Sequence, residues 1–232
     1  KPRWGDKTPQ HALCLPQIHA LFPEAQFIHL VRDGRDVAES LSRVIIGKKS
    51  ILASARRWRQ AVLACEAFKQ TIPPSQFLEV WYEALVARPE QEMARVFAFL
   101  GVRQEGVALS RRLPETRLKE TYVNTRGSHH RSLLNPITEA KVGVFKARFS
   151  QRELEIFESI AGDMLAQYGY PRVTQSTDAV RWHEHLRFFI LDYGVRYLRK
   201  AVNPLRYRDT ARQVRETAQR RIRKLVRSMR PT

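Results

Sequence analysis

Cysteine is scarce in this sequence. Cys14 and Cys65 are the only two among 232 residues, and neither stands at a metal-ligand spacing from other donors, which excludes a disulfide scaffold and gives no metal site. No apolar run approaches the ~18 residues of a membrane-spanning helix. No positively charged start followed by an apolar stretch opens the chain, and the expected location is the cytoplasm, free or membrane-associated. Acidic residues are also short. Only 23 Asp and Glu stand against 41 Lys and Arg, a formal net charge of +18. A surplus of that size points to an anionic partner: phosphate, sulfate, nucleic acid or a membrane surface. What is present in quantity is apolar residues, 43% of the total, enough for one large domain, or for one domain plus an appendage.

The chain begins at Lys1 with no initiator methionine, and the expectation is a fragment of a longer protein. Its charge is unevenly placed. Residues 173–232 hold 15 Lys and Arg against 5 Asp and Glu, and the preceding 172 hold 26 against 18. The boundary falls in the polar stretch Val173-Thr174-Gln175-Ser176-Thr177-Asp178, which reads as a linker. A body over 1–172 and a basic helical extension over 173–232 follow from this.

Within the body, Thr8-Pro9 reads as an N-cap with proline at the first helical position, opening a helix towards Phe22 that Pro16 bends. The run Gln26-Phe27-Ile28-His29-Leu30-Val31 suits a buried strand. It breaks at Arg32-Asp33-Gly34-Arg35-Asp36 into a helical pattern through Val37, Leu41 and Val44. A longer helix is expected over 51–70, with Trp58, Val62, Cys65 and Phe68 on one face and Pro73-Pro74 as its stop. A second strand is expected over 76–82. Pro89 opens a helix with Met93, Val96, Phe97 and Leu100 inside, ended by Gly101. Ser150 and Glu153 form a capping box ahead of the stripe Leu154, Phe157, Ile160, Met164 and Leu165. Strands alternating with helices imply an α/β fold with a parallel sheet. Two strands are few for such a sheet, in keeping with lost earlier ones.

Several of these segments, in this order, resemble one family. Trp4-Gly5-Asp6-Lys7-Thr8-Pro9, Phe22-Pro23, Phe27-Ile28, Val31-Arg32-Asp33-Gly34-Arg35-Asp36-Val37-Ala38-Glu39-Ser40, Trp81-Tyr82-Glu83-Ala84-Leu85, Pro89, Phe99-Leu100-Gly101-Val102 and Tyr168-Gly169-Tyr170 look like the PAPS-dependent sulfotransferases. The likeness is to the branch with tyrosylprotein and bacterial carbohydrate sulfotransferases, and it covers about Trp4 to Tyr170. Each motif alone is weak; their order and spacing carry the resemblance. It implies a P-loop NTPase-like parallel sheet flanked by helices, with the family's first strand and 5′-phosphosulfate loop absent from this sequence, and with them the general base.

Read from the residues alone, Arg32 ends a strand at the carboxyl edge of a sheet, where open α/β sheets bind ligands. Ser40 lies two helical turns on, so a guanidinium fork and a hydroxyl could clasp a phosphate. The alternative is that Arg32 pairs with Asp36 while Ser40 faces solvent. The resemblance implies that Arg32 and Ser40 hold the 3′-phosphate of PAPS. Arg43 could join them, one residue short of the family's spacing, and Tyr82 matches a nucleotide-pocket position that a core tyrosine would fill equally well. Lys7 precedes a helix N-terminus, where amides favour an anion, and by resemblance serves the leaving phosphate oxygen. An exposed lysine in a capping turn is the other reading. Ser132, in the donor-rich loop Arg126-Gly127-Ser128-His129-His130-Arg131-Ser132, matches a loop that the family closes over the nucleotide. His129-His130 lack the partners of a metal site. Gly47-Lys48-Lys49-Ser50 is no Walker loop, because Ser42 stands where its first glycine belongs.

Beyond the body, Leu186, Phe189, Ile190, Tyr193 and Tyr197 give 182–198 an amphipathic pattern. Residues 210–229 form an Arg-rich helical pattern with Val214, Ala218, Ile222 and Leu225 on a narrow stripe. A lightly packed solvated helix, docking on anionic lipid heads, and polyanion binding are the readings; nothing favours a specific nucleic acid. The function expected is sulfuryl transfer from PAPS, as co-substrate and with no metal, to a hydroxyl of a carbohydrate, lipid or peptide. The alternative is a non-catalytic basic module that binds polyanions or an anionic membrane surface.

Overall fold

The computed structural model describes residues 4–43, 50–102, 139–175 and 180–190. Ser132 and its loop, residues 44–49, and the sequence patterns beyond 190 lie outside the described residues. The chain forms two compact units, 1–180 and 181–232.

In the first unit, two strands pair in parallel, β1 (Phe27–Val31) against β2 (Phe77–Trp81), in the register Phe27↔Phe77 to Val31↔Trp81. The helices between them are α2 (Gly34–Arg43) and α3 (Ile51–Lys69), as a parallel crossover requires. Ser50 caps α3 by accepting the Ala53 N–H at 3.2 Å. It is 1% exposed, which makes the end of the Gly-Lys-Lys-Ser run a helix cap. Trp58, Val62, Cys65 and Phe68 are all buried along α3, as their spacing predicts.

The N-terminal helix expected over one continuous span is two pieces. A 3-10 turn, Pro9–Leu13, is followed after Cys14 by α1 (Leu15–Leu21). In a continuous helix the Pro16 ring would clash with the carbonyl of Ala12, four residues back; a fresh start puts Pro16 in a first turn, where its missing N–H costs nothing. Thr8 makes no side-chain cap; its hydroxyl donates to Asp6 at 2.7 Å. These pieces pack on α3, where Leu15, Cys65, Phe68, Ile72 and Phe77 form a cluster with Ala12 and Phe27 against it. Burial pushes the Cys65 thiol up to about 11, with Glu79 and Glu66 adding to it, so this cysteine is an inert core side chain.

The second strand ends one residue earlier than its pattern suggests. Tyr82 opens a short helix, α4 (Tyr82–Ala87). The chain then continues into α5 (Pro89–Leu100), closed by Gly101 at φ 62°. After the undescribed stretch come α6 (Phe145–Arg148) and α7 (Gln151–Gln167), the latter with the Ser150–Glu153 capping box in place. Helix α7 packs along α3 through Leu154, Phe157, Met164 and Leu165, with Ile156 buried and Ile160 only half-buried. In the second unit, α8 (Trp182–Phe189) starts where Glu184 accepts the Arg181 N–H at 2.8 Å.

The close seam of the first unit lies where α2 meets α3 and α7. A Cβ on Gly34 would sit 2.5 Å from Trp58 Cδ2 and 2.8 Å from Phe157 Cζ, so only glycine lets the helix start this near to two aromatic rings. Gly34→Ala is expected to destabilise the fold by about 1–3 kcal/mol, the usual range for overpacking a core; urea unfolding of wild type and variant measures it, and an unchanged midpoint would contradict this packing.

Candidate functional site

The turn after β1 is built from charges that bury one another. Asp33 caps α2, its Oδ1 accepting the Arg35 N–H at 2.9 Å. The Arg35 side chain, 1% exposed, folds back on the same carboxylate, with Nε 3.0 Å from Oδ1 and Nη2 2.7 Å from Oδ2. Its Nη1 donates to Glu158 on α7 at 2.6 Å and to the Pro171 carbonyl at 3.0 Å, and the guanidinium lies 4.3 Å from the Phe145 ring centroid. Burial works against an ionised Glu158, but the Thr174 hydroxyl, the Val173 and Thr174 amides and Arg35 together hold its carboxyl below the usual range. Val173 and Thr174, which the sequence reading placed at the start of the extension, are therefore tied into α7. Glu83 of α4 completes the collar, accepting the Asp33 N–H at 3.0 Å and the Tyr170 hydroxyl at 2.9 Å.

This collar presents Arg32 at the carboxyl end of the parallel pair. The indole N–H of Trp58 holds the Arg32 carbonyl at 3.1 Å. The guanidinium stacks over the Tyr82 ring, 4.5 Å from its centroid. Its Nη2 donates to the Lys141 carbonyl at 2.5 Å and lies 3.7 Å from Asp36 Oδ2. Its Nε is buried without a hydrogen-bond partner. A guanidinium placed over a ring with one buried donor unpaired is a cation with capacity left for an anion.

Asp36 couples this cation to a segment that comes in from far along the chain. It is fully buried and accepts the Gly143 N–H at 2.7 Å and the Phe145 N–H at 3.0 Å. Residues 139–145 are thereby fixed beside Arg32, directly after the stretch that contains Ser132.

The expected site residues are only partly brought together. Arg32 and Tyr82 are in contact. Ser40 is exposed on α2, one turn beyond Asp36 and on the same face. Arg43 is paired with Glu39, and both line a cavity of about 250 Å³ with Ser42, Ser54, Arg148 and Glu153. Lys7 is exposed and precedes the five-residue 3-10 turn, where an α-helix was expected. Among the described residues no group of three or more His, Cys, Asp or Glu could hold a metal ion. The sequence reading missed Arg35, Glu158 and the 139–145 segment. The Arg-Asp-Gly-Arg-Asp string was noticed, but which of its charges faces in depends on Glu158, 123 residues later.

Comparisons with known proteins place this turn inside a segment of recognisable likeness. Residues 1–106 match the Sulfotransferase family. The matched segment contains β1, α2, α3, β2 and α4, and so Arg32, Asp36 and Tyr82. Protein-tyrosine sulfotransferase of Drosophila melanogaster is 32% identical over 106 residues, 44% of this chain and 21% of that protein. Nodulation protein NoeE of Sinorhizobium fredii is 25% identical over 194 residues, 73% of this chain and 45% of that protein. The chain thus spans less than half the length of these curated relatives. Among solved structures, the sulfotransferase domain from the curacin biosynthetic pathway superposes with a TM-score of 0.50 at 21% identity, over 72% of this chain and 62% of that one. The fold is that of a sulfotransferase domain, P-loop-like and α/β.

The Asp36 arrangement makes a direct prediction. Asp36→Asn keeps the shape but replaces an acceptor-only group with one that also donates, and it removes the charge beside Arg32. The Gly143 and Phe145 amides are expected to exchange with solvent at least tenfold faster in the variant, a change equivalent to about 1.4 kcal/mol. Exchange at wild-type rates would show that the segment is held by other contacts.

Proposed function

We propose that the protein to which this chain belongs transfers a sulfuryl group from PAPS to a hydroxyl of an acceptor, a carbohydrate, lipid or peptide. The observation that carries this reading is Arg32: a cation at the carboxyl edge of parallel strands, stacked on Tyr82, with a buried unpaired donor, inside the segment matching the Sulfotransferase family. The residues present fit the phosphorylated end of such a nucleotide. Arg32 supplies the fork and Ser40, on the face of α2 that carries Asp36, supplies a hydroxyl for the 3′-phosphate. Tyr82 offers the guanidinium a ring face. Ser132 belongs to the loop expected to close over the nucleotide. Arg43, held by Glu39, is a reserve cation at the far end of α2.

In the transfer, the sulfur–oxygen bond to the phosphate breaks as a sulfur–oxygen bond to the acceptor forms, and the acceptor's proton passes to a base. Negative charge grows on the departing phosphate oxygen. A fixed ammonium there stabilises the transition state more than the ground state, and Lys7 is the residue proposed for it. The name of one relative, protein-tyrosine sulfotransferase, supports a hydroxyl acceptor, since a tyrosine side chain carries one, without choosing among acceptor classes for this chain.

The test is nucleotide discrimination. In the whole protein, adenosine 3′,5′-bisphosphate is expected to bind at least about tenfold more tightly than 5′-AMP, since charge-assisted hydrogen bonds contribute ~1.5–3 kcal/mol each. Calorimetry returning equal affinities would remove the assignment of Arg32 and Ser40. Lys7→Ala is expected to lower kcat by about 10²–10³ with little change in acceptor KM, the signature of a lost transition-state contact; an unchanged kcat would make Lys7 a surface residue.

A further inference from the structure

Helix α8 carries its apolar residues on the outside. Trp182 is 77% exposed, Leu186 52%, Phe189 60% and the following Ile190 57%. Positions i, i+4, i+7 and i+8 of a helix share an arc of about 100°, so the four side chains form one stripe. His183 and His185 border it, with Arg181 and Arg187 further round. A helix of a water-soluble domain turns such a stripe to its core; a contiguous exposed one marks an interaction surface.

The charge around the stripe selects the partner. From Arg181 to the last residue the sequence holds 15 Lys and Arg against 4 Asp and Glu. A soluble polyanion would satisfy that charge but leave the four apolar side chains in water, and an apolar protein groove would leave the charge unmatched. An anionic bilayer takes both, with the aromatic and aliphatic side chains at the boundary of headgroups and acyl chains and the cations among the lipid phosphates. Trp182 suits that depth, having an apolar body and one polar N–H. No described helix is long and apolar enough to cross a membrane.

We propose that residues 181–190 lie in the plane of an anionic membrane surface, with Trp182, Leu186, Phe189 and Ile190 inserted and the basic remainder of the unit electrostatically bound. The stripe belongs to the second unit and Arg32 to the first, and the test does not depend on sulfuryl transfer.

The experiment is co-sedimentation of the full chain with phosphatidylcholine vesicles, with and without phosphatidylglycerol, while tryptophan emission is followed. The expected result is binding at least tenfold tighter to the anionic vesicles, weakened by salt, with a blue shift that Trp182→Phe abolishes. The variant W182S/L186S/F189S changes only exposed side chains, so it should unfold like wild type and yet bind these vesicles at least tenfold more weakly, with binding to polyuridylic acid unchanged. Leu186→Ser alone provides a milder version of the same loss. Wild-type vesicle binding by the serine variants, equal binding to both kinds of vesicle, or no binding to either would overturn the proposal. So would an equal loss of polyuridylic acid binding, because it would place the stripe in a polyanion site.

Discussion

A buried guanidinium holds this molecule together at the carboxyl end of its parallel strands. Arg35 ties the turn after β1 to α7 through Glu158 and to the chain beyond α7 through the Pro171 carbonyl, while Asp33 closes it from below. A buried pair of this kind gains little over an apolar core of equal volume, but losing one partner leaves an uncompensated charge and costs ~3–5 kcal/mol. Its value here is geometric. With Asp33, Arg35 and Glu158 locked together, the direction in which the chain leaves β1 is fixed, and Arg32 is the residue that this direction presents at the end of the sheet. Trp58 and Gly34 act in the same sense, one gripping the Arg32 carbonyl and the other letting α2 start against an indole ring.

The Arg32 side chain sits between two kinds of partner. Tyr82 offers a ring face, which attracts the fork without neutralising it. Asp36 offers a carboxylate, but at 3.7 Å, and that carboxylate already accepts two backbone N–H groups. The ion pair foreseen as an alternative to ligand binding is therefore present in a weak form. An incoming phosphate would meet a cation that is oriented and only partly compensated, and Asp36 would keep its amide partners when that happens. The same carboxylate anchors residues 139–145, so Arg32 and the chain segment that follows Ser132 share one buried support.

The sequence was most informative where the deciding contacts are local. The two strands, the long helix over Trp58 to Phe68, the glycine stop after α5 and the Ser150 capping box were legible because period, caps and breakers act within a few residues. The likeness to the Sulfotransferase family was legible from the order of short motifs. Less visible were features decided at long range. Pro16 was read as a bend because the sequence does not state whether a helix will tolerate a proline or restart around it. Tyr82 was given to a strand, since aromatic residues suit strands and its partner Arg32 lies 50 positions earlier. The buried face of α2 is charged, with Arg35, Asp36 and Glu39 inside and Val37 and Leu41 only half-buried. Hydrophobic periodicity reads such a helix wrongly, because Glu158 on α7 draws Arg35 inward, the amides of Gly143 and Phe145 do so for Asp36, and Arg43 pairs with Glu39.

The central claim is that Arg32, as held by this collar, receives the 3′-phosphate of a nucleotide. Its most direct measurement is the Arg32 Nε–H signal in ¹⁵N-resolved spectra of the whole protein during titration with adenosine 3′,5′-bisphosphate. The account predicts a saturable shift of that resonance to the frequency of a charge-assisted hydrogen bond, with a much smaller response to 5′-AMP. An Arg32 signal that stays in place while the nucleotide binds, or that moves equally with both nucleotides, would contradict it.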